Sequence, residues 1–539
     1  MHTQQRPWWK GAVVYQVYPR SFFDANGDGT GDLKGITCKL EYIASLGVDA
    51  IWLSPFFRSP MKDFGYDISD YCAIDPVFGS MEDFDELLKA AHDRGLRVII
   101  DQVYNHTSDE HPWFVASRSS RENPKADWFI WVDGERGKPP NNWLSYFGGS
   151  AWEWDEGRGQ YYLHLFVPGQ PDLNWRNPEV QNAVMDSLRF WLEKGVDGFR
   201  FDVVNLFFKD QALRDNPPCP HAPNVPEFAR FFHVFDRDRP ETLLAVEAIA
   251  DTLHDFPGAM GVGEVITDGG MFQFLEYTKP GRLDLAFNFV FKDLGSFDPQ
   301  VYRQHVARCE ELFSTLSWPS YVLGNHDSPR FLSRLPDDGH RVERAKVLLA
   351  LLLTLRGTPF LYYGEELGME EAVIPFDQIV DPQGKNLWPQ VPGRDGCRTP
   401  MQWDDGPVAG FSEGTPWLPV HPNKEWVNVV SQEKDPHSML NFTRQLLRLR
   451  RACDALKWGK LEWMEPNDAQ LLSFCRVHDG TGVGILLNFS ESRQVRRVAR
   501  EWEFGKVLFS SKKGPSIPVQ RELVLEPFEV KIVELTRKG

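Results

Sequence analysis

The sequence has few cysteines and no long apolar segment. Its 539 residues include seven cysteines, none of them in a CxxC pair, so neither a disulfide framework nor a cysteine-based zinc site is predicted. The longest apolar run, Val347 to Leu355, is far shorter than the roughly 20 residues that cross a bilayer. The first residues lack the apolar core and cleavage site of a signal peptide. We therefore expect a soluble, cytoplasmic protein with no membrane partner.

Basic residues are also outnumbered. There are 59 Lys and Arg against 76 Asp and Glu, giving a net charge of −17, and no long basic stripe occurs. A nucleic-acid partner is therefore not expected. Hydrophobic residues make up 42% and charged residues 25%, which is typical of a globular protein. The length predicts several domains, or one barrel of about 250 residues with inserted and appended modules.

Eight short apolar segments alternate with amphipathic, helix-like stretches. This alternation predicts parallel βα units, and the number eight favours a closed (β/α)8 TIM barrel. A doubly wound open sheet is the alternative, although no GxGxxG turn follows the first segment. The predicted strands are residues 12–18, 49–55, 96–104, 197–202, 261–265, 285–291, 320–325 and 359–364.

Two long irregular segments interrupt this alternation. The first spans residues 105–175, directly after the third predicted strand, and predicts an inserted domain. The second, at about 369–420, follows the eighth strand. From residue 456 to 539 short alternating strands predict a C-terminal antiparallel β-sandwich domain. The predicted strands are residues 461–464, 471–477, 483–490 and 530–535. The barrel would then comprise residues 1–104 and 176–455.

Polar side chains follow several of the predicted strands. In a parallel barrel these strand ends meet at one mouth, where active sites of such enzymes lie. A single Asp at a strand end is usually a helix cap. Several carboxylates in one mouth repel each other and destabilise the fold, so such a cluster indicates a functional site. The residues concerned are Asp101, Asn105, His106, Arg200, Asp202, Glu264, Asn325, His326 and Asp327.

Four of these segments resemble the motifs of glycoside hydrolase family 13, the α-amylase family. They are DQVYNH, GFRFDVVN, GVGEV and GNHD, in the order of the family. Further resemblance lies in QPDLN, GYDISDY and RTPMQW, and extends over nearly the whole chain. YQVYPRSF, DGTGDL and GRDGCRTPMQW are similar to the α-glucosidase and oligo-1,6-glucosidase branch.

The resemblance implies three catalytic acids. Asp202 would be the nucleophile, Glu264 the general acid and base, and Asp327 the acid that binds sugar hydroxyls beside the reacting carbon. Such chemistry needs one carboxylate that stays ionised and another that holds a proton near neutral pH. Arg200, two residues before Asp202 on the same strand face, is suited to keep Asp202 ionised.

Other matching positions imply a pocket for the terminal glucose. These substrate-binding residues are Asp67, His106, Arg200, His326 and Arg398, with Tyr66 and Phe166 supplying ring faces.

The segment DANGDGTGDL predicts a structural cation site. Oxygen-bearing side chains at alternate positions can wrap Ca²⁺, whereas a hydrogen-bonded Asx turn is the alternative. Similar loops in this branch bind Ca²⁺ or Mg²⁺ away from the chemistry. The implied ligands are Asp24, Asn26, Asp28, Asp32 and the carbonyl of Thr30.

The expected function is that of a retaining, exo-acting α-glucosidase on short oligosaccharides, with transglucosylation as a side reaction. Val203 follows Asp202, which in the branch accompanies α-1,6 cleavage, whereas LRDNPP (213–218) resembles α-1,4-acting relatives. We lean slightly towards α-1,6 links. Sucrose- or trehalose-type hydrolysis or isomerisation is the alternative on the same residues, and a non-catalytic relative is disfavoured because all three acids are present. Either a monomer or a homodimer is expected.

Overall fold

The computed structural model of the protein describes residues 6–220, 225–267, 270–313, 317–497, 502–512 and 522–537. Eight parallel strands form its central sheet, and each lies within or overlaps one of the eight predicted segments. They are β1 (Val14–Val17), β2 (Ala50–Leu53), β3 (Arg97–Gln102), β4 (Gly198–Phe201), β5 (Met260–Gly263), β6 (Leu285–Ala286), β7 (Ser320–Val322) and β8 (Thr358–Tyr362).

The strands are paired in the order β6-β5-β4-β3-β2-β1-β8-β7. The ends of this sheet meet where Ser320 Oγ in β7 donates a 2.6 Å hydrogen bond to the carbonyl of Ala286 in β6. The interior is filled by inward-facing apolar side chains, as in a packed barrel. They include Val14, Trp52, Ile99, Val262, Phe287, Val322 and Phe360. The predicted (β/α)8 barrel is confirmed, and the open doubly wound sheet is excluded.

Helices alternate with the strands, and their ends follow the sequence signals. Ser80 and Asp83 form a capping box at the start of one helix, and Gly195 has φ +95° just after the end of another, as expected for a glycine after a helix C-cap. The helices are Pro19–Phe22, Leu33–Leu46, Met81–Asp93, Pro112–Ser119, Pro178–Glu193, Thr242–His254, Met271–Tyr277, Val290–Asp293, Pro299–Leu312, Arg341–Thr354, Pro382–Leu387, Val429–Lys434, Met439–Ala452 and Asp454–Trp458.

The segment after β3 carries its own small sheet. The helix Pro112–Ser119 is followed by strands Trp131–Val132, Trp152–Asp155 and Gln160–Leu163, with the last strand in the centre of an antiparallel sheet. Another antiparallel pair, Phe57–Arg58 and Asp70–Ile74, follows β2. These additions come from the same end of the barrel strands, so they extend the walls of its mouth.

The C-terminal part is antiparallel. A five-stranded sheet contains Lys460–Trp463, Leu471–His478, Thr481–Asn488, Val530–Arg537 and Trp502–Ser510 in that order, and a two-stranded sheet pairs Gln494–Arg497 with Glu522–Leu525. Leu486 and Leu535 from the first sheet share an apolar core with Leu523 and Leu525 from the second. The predicted β-sandwich is confirmed. In the part of the chain that the structure describes, none of the helices has the length and apolar character needed to cross a membrane.

Candidate active site

The turn after β4 carries the candidate nucleophile. Side chains alternate along a strand, so Arg200 and Asp202 point to the same side, and both are buried. Val203 follows with φ +37°, in the left-handed region that a β-branched residue rarely adopts. Its N–H lies 3.3 Å from Oε2 of Glu264. The backbone is therefore strained beside Asp202, as is common at functional sites.

Arg200 binds three carboxylates at the ends of neighbouring strands. Its Nη1 donates to Oδ1 of Asp101 at 2.7 Å and to Oδ1 of Asp202 at 2.6 Å. Its Nη2 donates to Oε2 of Glu264 at 2.6 Å. The pairing of β3, β4 and β5 thus brings together residues that are up to 163 positions apart (264 − 101).

One guanidinium group cannot neutralise three carboxylates. Burial raises the pKa of Asp202 well above its ordinary value, and Arg200 opposes this shift. Burial likewise raises the pKa of Asp101 to about 6, with Glu264 adding to the increase and Arg200 opposing it. The cluster of carboxylates around Arg200 is therefore able to hold a proton near neutral pH, which acid catalysis by a carboxyl group requires.

Asp327 lies in a more cationic environment. Its Oδ1 accepts from Arg398 Nη2 at 2.9 Å and from Arg394 Nη1 at 3.2 Å. Burial alone would raise the pKa of this carboxyl, but His326 and the two guanidinium groups outweigh it and lower the pKa. Asp327 is consequently an ionised hydrogen-bond acceptor, suited to bind sugar hydroxyls.

His326 connects the two groups of carboxylates. Its Nδ1 lies 2.8 Å from Gln16 Nε2, and its Nε2 lies 3.1 Å from Asp327 Oδ2. Tyr66 Oη is 2.5 Å from the same Nε2 and donates to Asp101 Oδ2 at 3.1 Å. Burial lowers the pKa of His326 well below its ordinary value, although Asp327 opposes this shift, and the ring orients these neighbours through its two nitrogens.

These residues surround a cavity of about 310 Å³ at the C-terminal end of the barrel. Residues of the insert and of the loops after β5, β6 and β7 complete its wall. Its lining includes Asp63, Tyr66, His106, Tyr146, Phe147, Phe166, Asp202, Val203, Glu264, Val265, Ile266, Phe274, Phe289, Lys292, Asn325, Asp327 and Arg394.

Ten residues were predicted as catalytic or substrate-binding. Six of them line this cavity: Tyr66, His106, Phe166, Asp202, Glu264 and Asp327. Three others, Arg200, His326 and Arg398, are fully buried behind it and bind the lining carboxylates. This corrects their prediction as substrate-binding residues, since all three hold lining carboxylates and do not themselves line the cavity.

The prediction for Asp67 is also corrected. Its carboxylate accepts hydrogen bonds from Ser59 Oγ and from the backbone N–H groups of Lys62 and Asp63. Asp67 is fully buried and is absent from the cavity wall. It therefore fixes the loop before Tyr66 and does not line the cavity.

Asp63 and Arg394 line the cavity, although the sequence did not predict either of them as a site residue. Arg394 Nη2 donates to Asp63 Oδ1 at 2.6 Å, and both residues line the cavity. Asp381 binds the Arg394 side chain and backbone from behind. The signal was present, because Arg394 belongs to GRDGCRTPMQW and Asp63 lies three residues before Tyr66.

The loop from Asp24 to Asp32 forms a series of turns. Asp24 accepts from the N–H groups of Asn26, Gly27 and Gly29, and Asp28 accepts from the N–H of Thr30. Among the described residues, no three Asp, Glu, His or Cys side chains converge as metal ligands. The hydrogen bonds are those of Asx turns. The cation site at this loop stays a prediction.

The parallel eight-stranded barrel, with Asp202 and Glu264 among the three carboxylates bound to Arg200 at its mouth, has the paired acids that a barrel glycoside hydrolase uses. The chain belongs to the α-amylase family: residues 16–459 match the model of the alpha amylase catalytic domain.

The similarity to individual relatives extends over nearly the full length of the chain. The chain is 47% identical to a probable alpha-glucosidase of Rhizobium meliloti, covering 92% of this chain and 91% of the relative. It is 39% identical to the oligo-1,6-glucosidase of Parageobacillus thermoglucosidasius, covering 98% and 99%. The crystal structure of the alpha-glucosyl transfer enzyme XgtA is similar with a TM-score of 0.92 at 44% identity, covering 98% of this chain and 100% of that one. The predicted α-glucosidase branch is confirmed.

Proposed function

We propose that the protein hydrolyses terminal, non-reducing α-glucosyl residues of short oligosaccharides with retention of configuration. The observation that carries the proposal is the pair of bonds from Arg200 to Asp202 and Glu264, both 2.6 Å long. Since both oxygens are held by one guanidinium group, they lie close together. This favours the separation of about 5 to 5.5 Å of retaining enzymes over the wider one of inverting enzymes.

The roles follow from the environment of each acid. Asp202, beside the cation Arg200, attacks the anomeric carbon. Glu264 delivers a proton to the departing oxygen and then takes one from water. Asp327, ionised between Arg394 and Arg398, binds hydroxyls of the glucose and strengthens this hold as the ring distorts towards the transition state.

Linkage preference depends on the wall beyond the broken bond. Val203 lines the cavity, and its methyl groups support a preference for α-1,6 links. One methyl group changes discrimination by only about 1–3 kcal/mol, so α-1,4 links are cleaved as well, more slowly. Transglucosylation follows when an acceptor hydroxyl replaces water at Glu264, and the likeness to a glucosyl transfer enzyme supports it. Sucrose and trehalose are the alternative substrates on the same residues.

The test is a panel of isomaltose, maltose, sucrose, trehalose and p-nitrophenyl α-glucoside. We expect hydrolysis of isomaltose and maltose, with α-glucose as the first product by NMR. A first product of the β configuration would exclude the double displacement. If no member of the panel is hydrolysed and the Asp202→Asn variant binds none of them, the proposal is wrong.

Four further properties belong to the proposal. A structural Ca²⁺ or Mg²⁺ at Asp24, Asn26, Asp28, Thr30 and Asp32 is supported by their alternating oxygen donors. A reducing compartment such as the cytoplasm is supported by the seven free cysteines. The assembly is a monomer or homodimer, and the division at residues 104, 175 and 455 follows from the sequence pattern.

A further inference from the structure

Lys209 is a buried cation close to the cavity that the proposed mechanism does not use. Only 2% of its side chain is exposed. Its Nζ lies 2.5 Å from Oδ2 of Asp172, in the inserted segment, and donates to Oδ1 of Asn105 at 2.8 Å. A charge is buried in this way only when its hydrogen bonds are satisfied, so Lys209 holds these two groups in fixed positions.

The two charges decide how the amide of Asn105 is turned. A lysine ammonium only donates and a carboxylate only accepts. The amide oxygen must therefore face Lys209, and the amide nitrogen must face Asp172, whose Oδ2 lies 3.2 Å from Nδ2 of Asn105. Asn105 is fully buried, so it has no solvent to turn towards.

The orientation of Asn105 in turn decides where His106 carries its proton. Burial lowers the pKa of His106 to about 4, so its ring is neutral and has one donor and one acceptor nitrogen. Nδ1 lies 3.2 Å from Nδ2 of Asn105. Since that nitrogen is a donor, Nδ1 accepts and the proton lies on Nε2.

The other neighbours of His106 do not settle this choice. Nε2 lies 3.1 Å from the carbonyl of Tyr66, which favours a proton there, and 3.2 Å from the amide nitrogen of Gln170, which disfavours it. Gln170 cannot turn round, because its amide also donates to Asp63 and accepts from Val167. The two contacts at Nε2 therefore oppose each other, and the contact at Nδ1 decides.

We propose that Lys209 is a positioning residue that fixes the tautomer of His106 through Asn105. His106 then presents its Nε2–H as a hydrogen-bond donor to a hydroxyl of the bound sugar. His106 lines the cavity whereas Asn105 does not, and its Nε2–H would be shared between the carbonyl of Tyr66 and the ligand. The role in sugar binding rests on the proposed function, but the tautomer does not.

The first test measures the tautomer in the ligand-free protein. Protein labelled with ¹⁵N-histidine is compared by NMR with a His106→Gln variant, which identifies the signals of His106. In the wild type we expect the proton on Nε2 alone. Asn105→Asp should move the proton to Nδ1, since a carboxylate only accepts.

A second variant guards against loss of folding. Lys209→Met leaves Asp172 buried without its partner, so the double variant Lys209→Met/Asp172→Asn removes both charges together. With neither charge left to orient the amide of Asn105, this variant should give both tautomers. If the double variant keeps the proton on Nε2 alone, the inference is wrong.

The kinetic test separates this role from general stability. Loss of one oriented hydrogen bond should raise KM for isomaltose about tenfold in the double variant, with kcat changed by less than about twofold. The control is Lys194→Met, which breaks a surface ion pair with Asp85 and should change neither. An unchanged KM contradicts the inference. If the wild type hydrolyses no α-glucoside, the proposed function fails, and the NMR measurement still decides the role of Lys209.

Discussion

Arg200 Nη2 lies 2.6 Å from Oε2 of Glu264. The same guanidinium group binds Asp202, so the candidate acid and the candidate nucleophile compete for one cation. Burial raises the pKa of Asp202 well above its ordinary value, and Arg200 opposes this rise. The hold of Arg200 on Asp202 therefore favours the ionised form that attack requires.

Removing the side chain of Glu264 should therefore spare the first step when no acid is needed. For Glu264→Ala we expect hydrolysis of isomaltose to fall by about 10²- to 10⁴-fold, and that of p-nitrophenyl α-glucoside to fall less in its first step. Azide should restore turnover of the activated substrate. Equal losses on both substrates, without rescue by azide, would assign Glu264 another role.

Asp63 and Asp67 form a matched pair for testing the corrected glucose pocket. Asp63→Asn should raise KM for isomaltose about tenfold or more, because a charged partner of Arg394 in the wall is lost. Asp67→Asn should lower the melting temperature and leave KM nearly unchanged, since Asp67 holds backbone N–H groups. Steady-state kinetics and thermal unfolding of both variants check this, and the reverse pattern would restore Asp67 to the pocket.

Val203→Thr tests the linkage preference. Threonine is also β-branched, so the left-handed backbone at φ +37° is strained equally in both proteins. We expect the ratio of kcat/KM for isomaltose to that for maltose to fall by about 10-fold, within the range for one methyl group. An unchanged ratio would show that the preference is decided elsewhere in the wall.

Glu365 makes the stability depend on pH. It is 2% exposed, and burial raises its pKa from 4.5 to about 8, although the N–H of Tyr362 opposes this. A folded-state pKa above the unfolded value favours the protonated form in the native state. The contribution to stability is therefore complete below pH 4.5 and is lost as the pH rises through about 8.

Glu365→Gln should remove this dependence. The neutral amide can still accept from the N–H of Tyr362, so the variant should lose less stability than the wild type between about pH 5 and 9. Melting temperatures across this range measure the difference. Glu370→Gln, at a more exposed neighbour, is the control and should follow the wild type.

Chelation tests the cation loop. If a metal binds only the folded state at a concentration of about 100 Kd, its removal costs about 2.7 kcal/mol, which lowers the melting temperature by several degrees. Asp28→Asn keeps an acceptor for the N–H of Thr30 but removes a charged ligand, and should weaken the effect. Unchanged melting after chelation, with no metal found by elemental analysis, would discard the site.

The sequence predicted all eight barrel strands because their apolar runs are continuous and buried on both faces. It did not predict Trp502–Ser510 or Gln494–Arg497, since exposed and charged residues interrupt their pattern. Helix ends followed local signals such as Ser80 with Asp83, which depend on neighbouring residues alone.

The site was predicted where a motif fixes a strand end and missed where a loop turns. Asp202 and Glu264 follow strands, so the barrel itself aims them. Asp63 and Asp67 lie in a loop in which Phe64 has φ +48° and Gly65 has φ +104°. These reversals decide which carboxylate faces the cavity, and alternation of residue type does not reveal them.

The barrel strands are hydrogen-bonded differently at the seam near Ser320 than elsewhere. In the described chain, β6 and β7 are the two ends of the hydrogen-bonded sheet. The hydroxyl of Ser320 connects them by its hydrogen bond to the carbonyl of Ala286. Local opening should begin there, with the fastest amide hydrogen exchange of the barrel strands. Phe289 and Lys292 lie just after β6 in the cavity wall, whereas Arg200 lies on the fully paired side. We therefore expect the cavity wall at Phe289 and Lys292 to move more readily than the carboxylates that Arg200 binds.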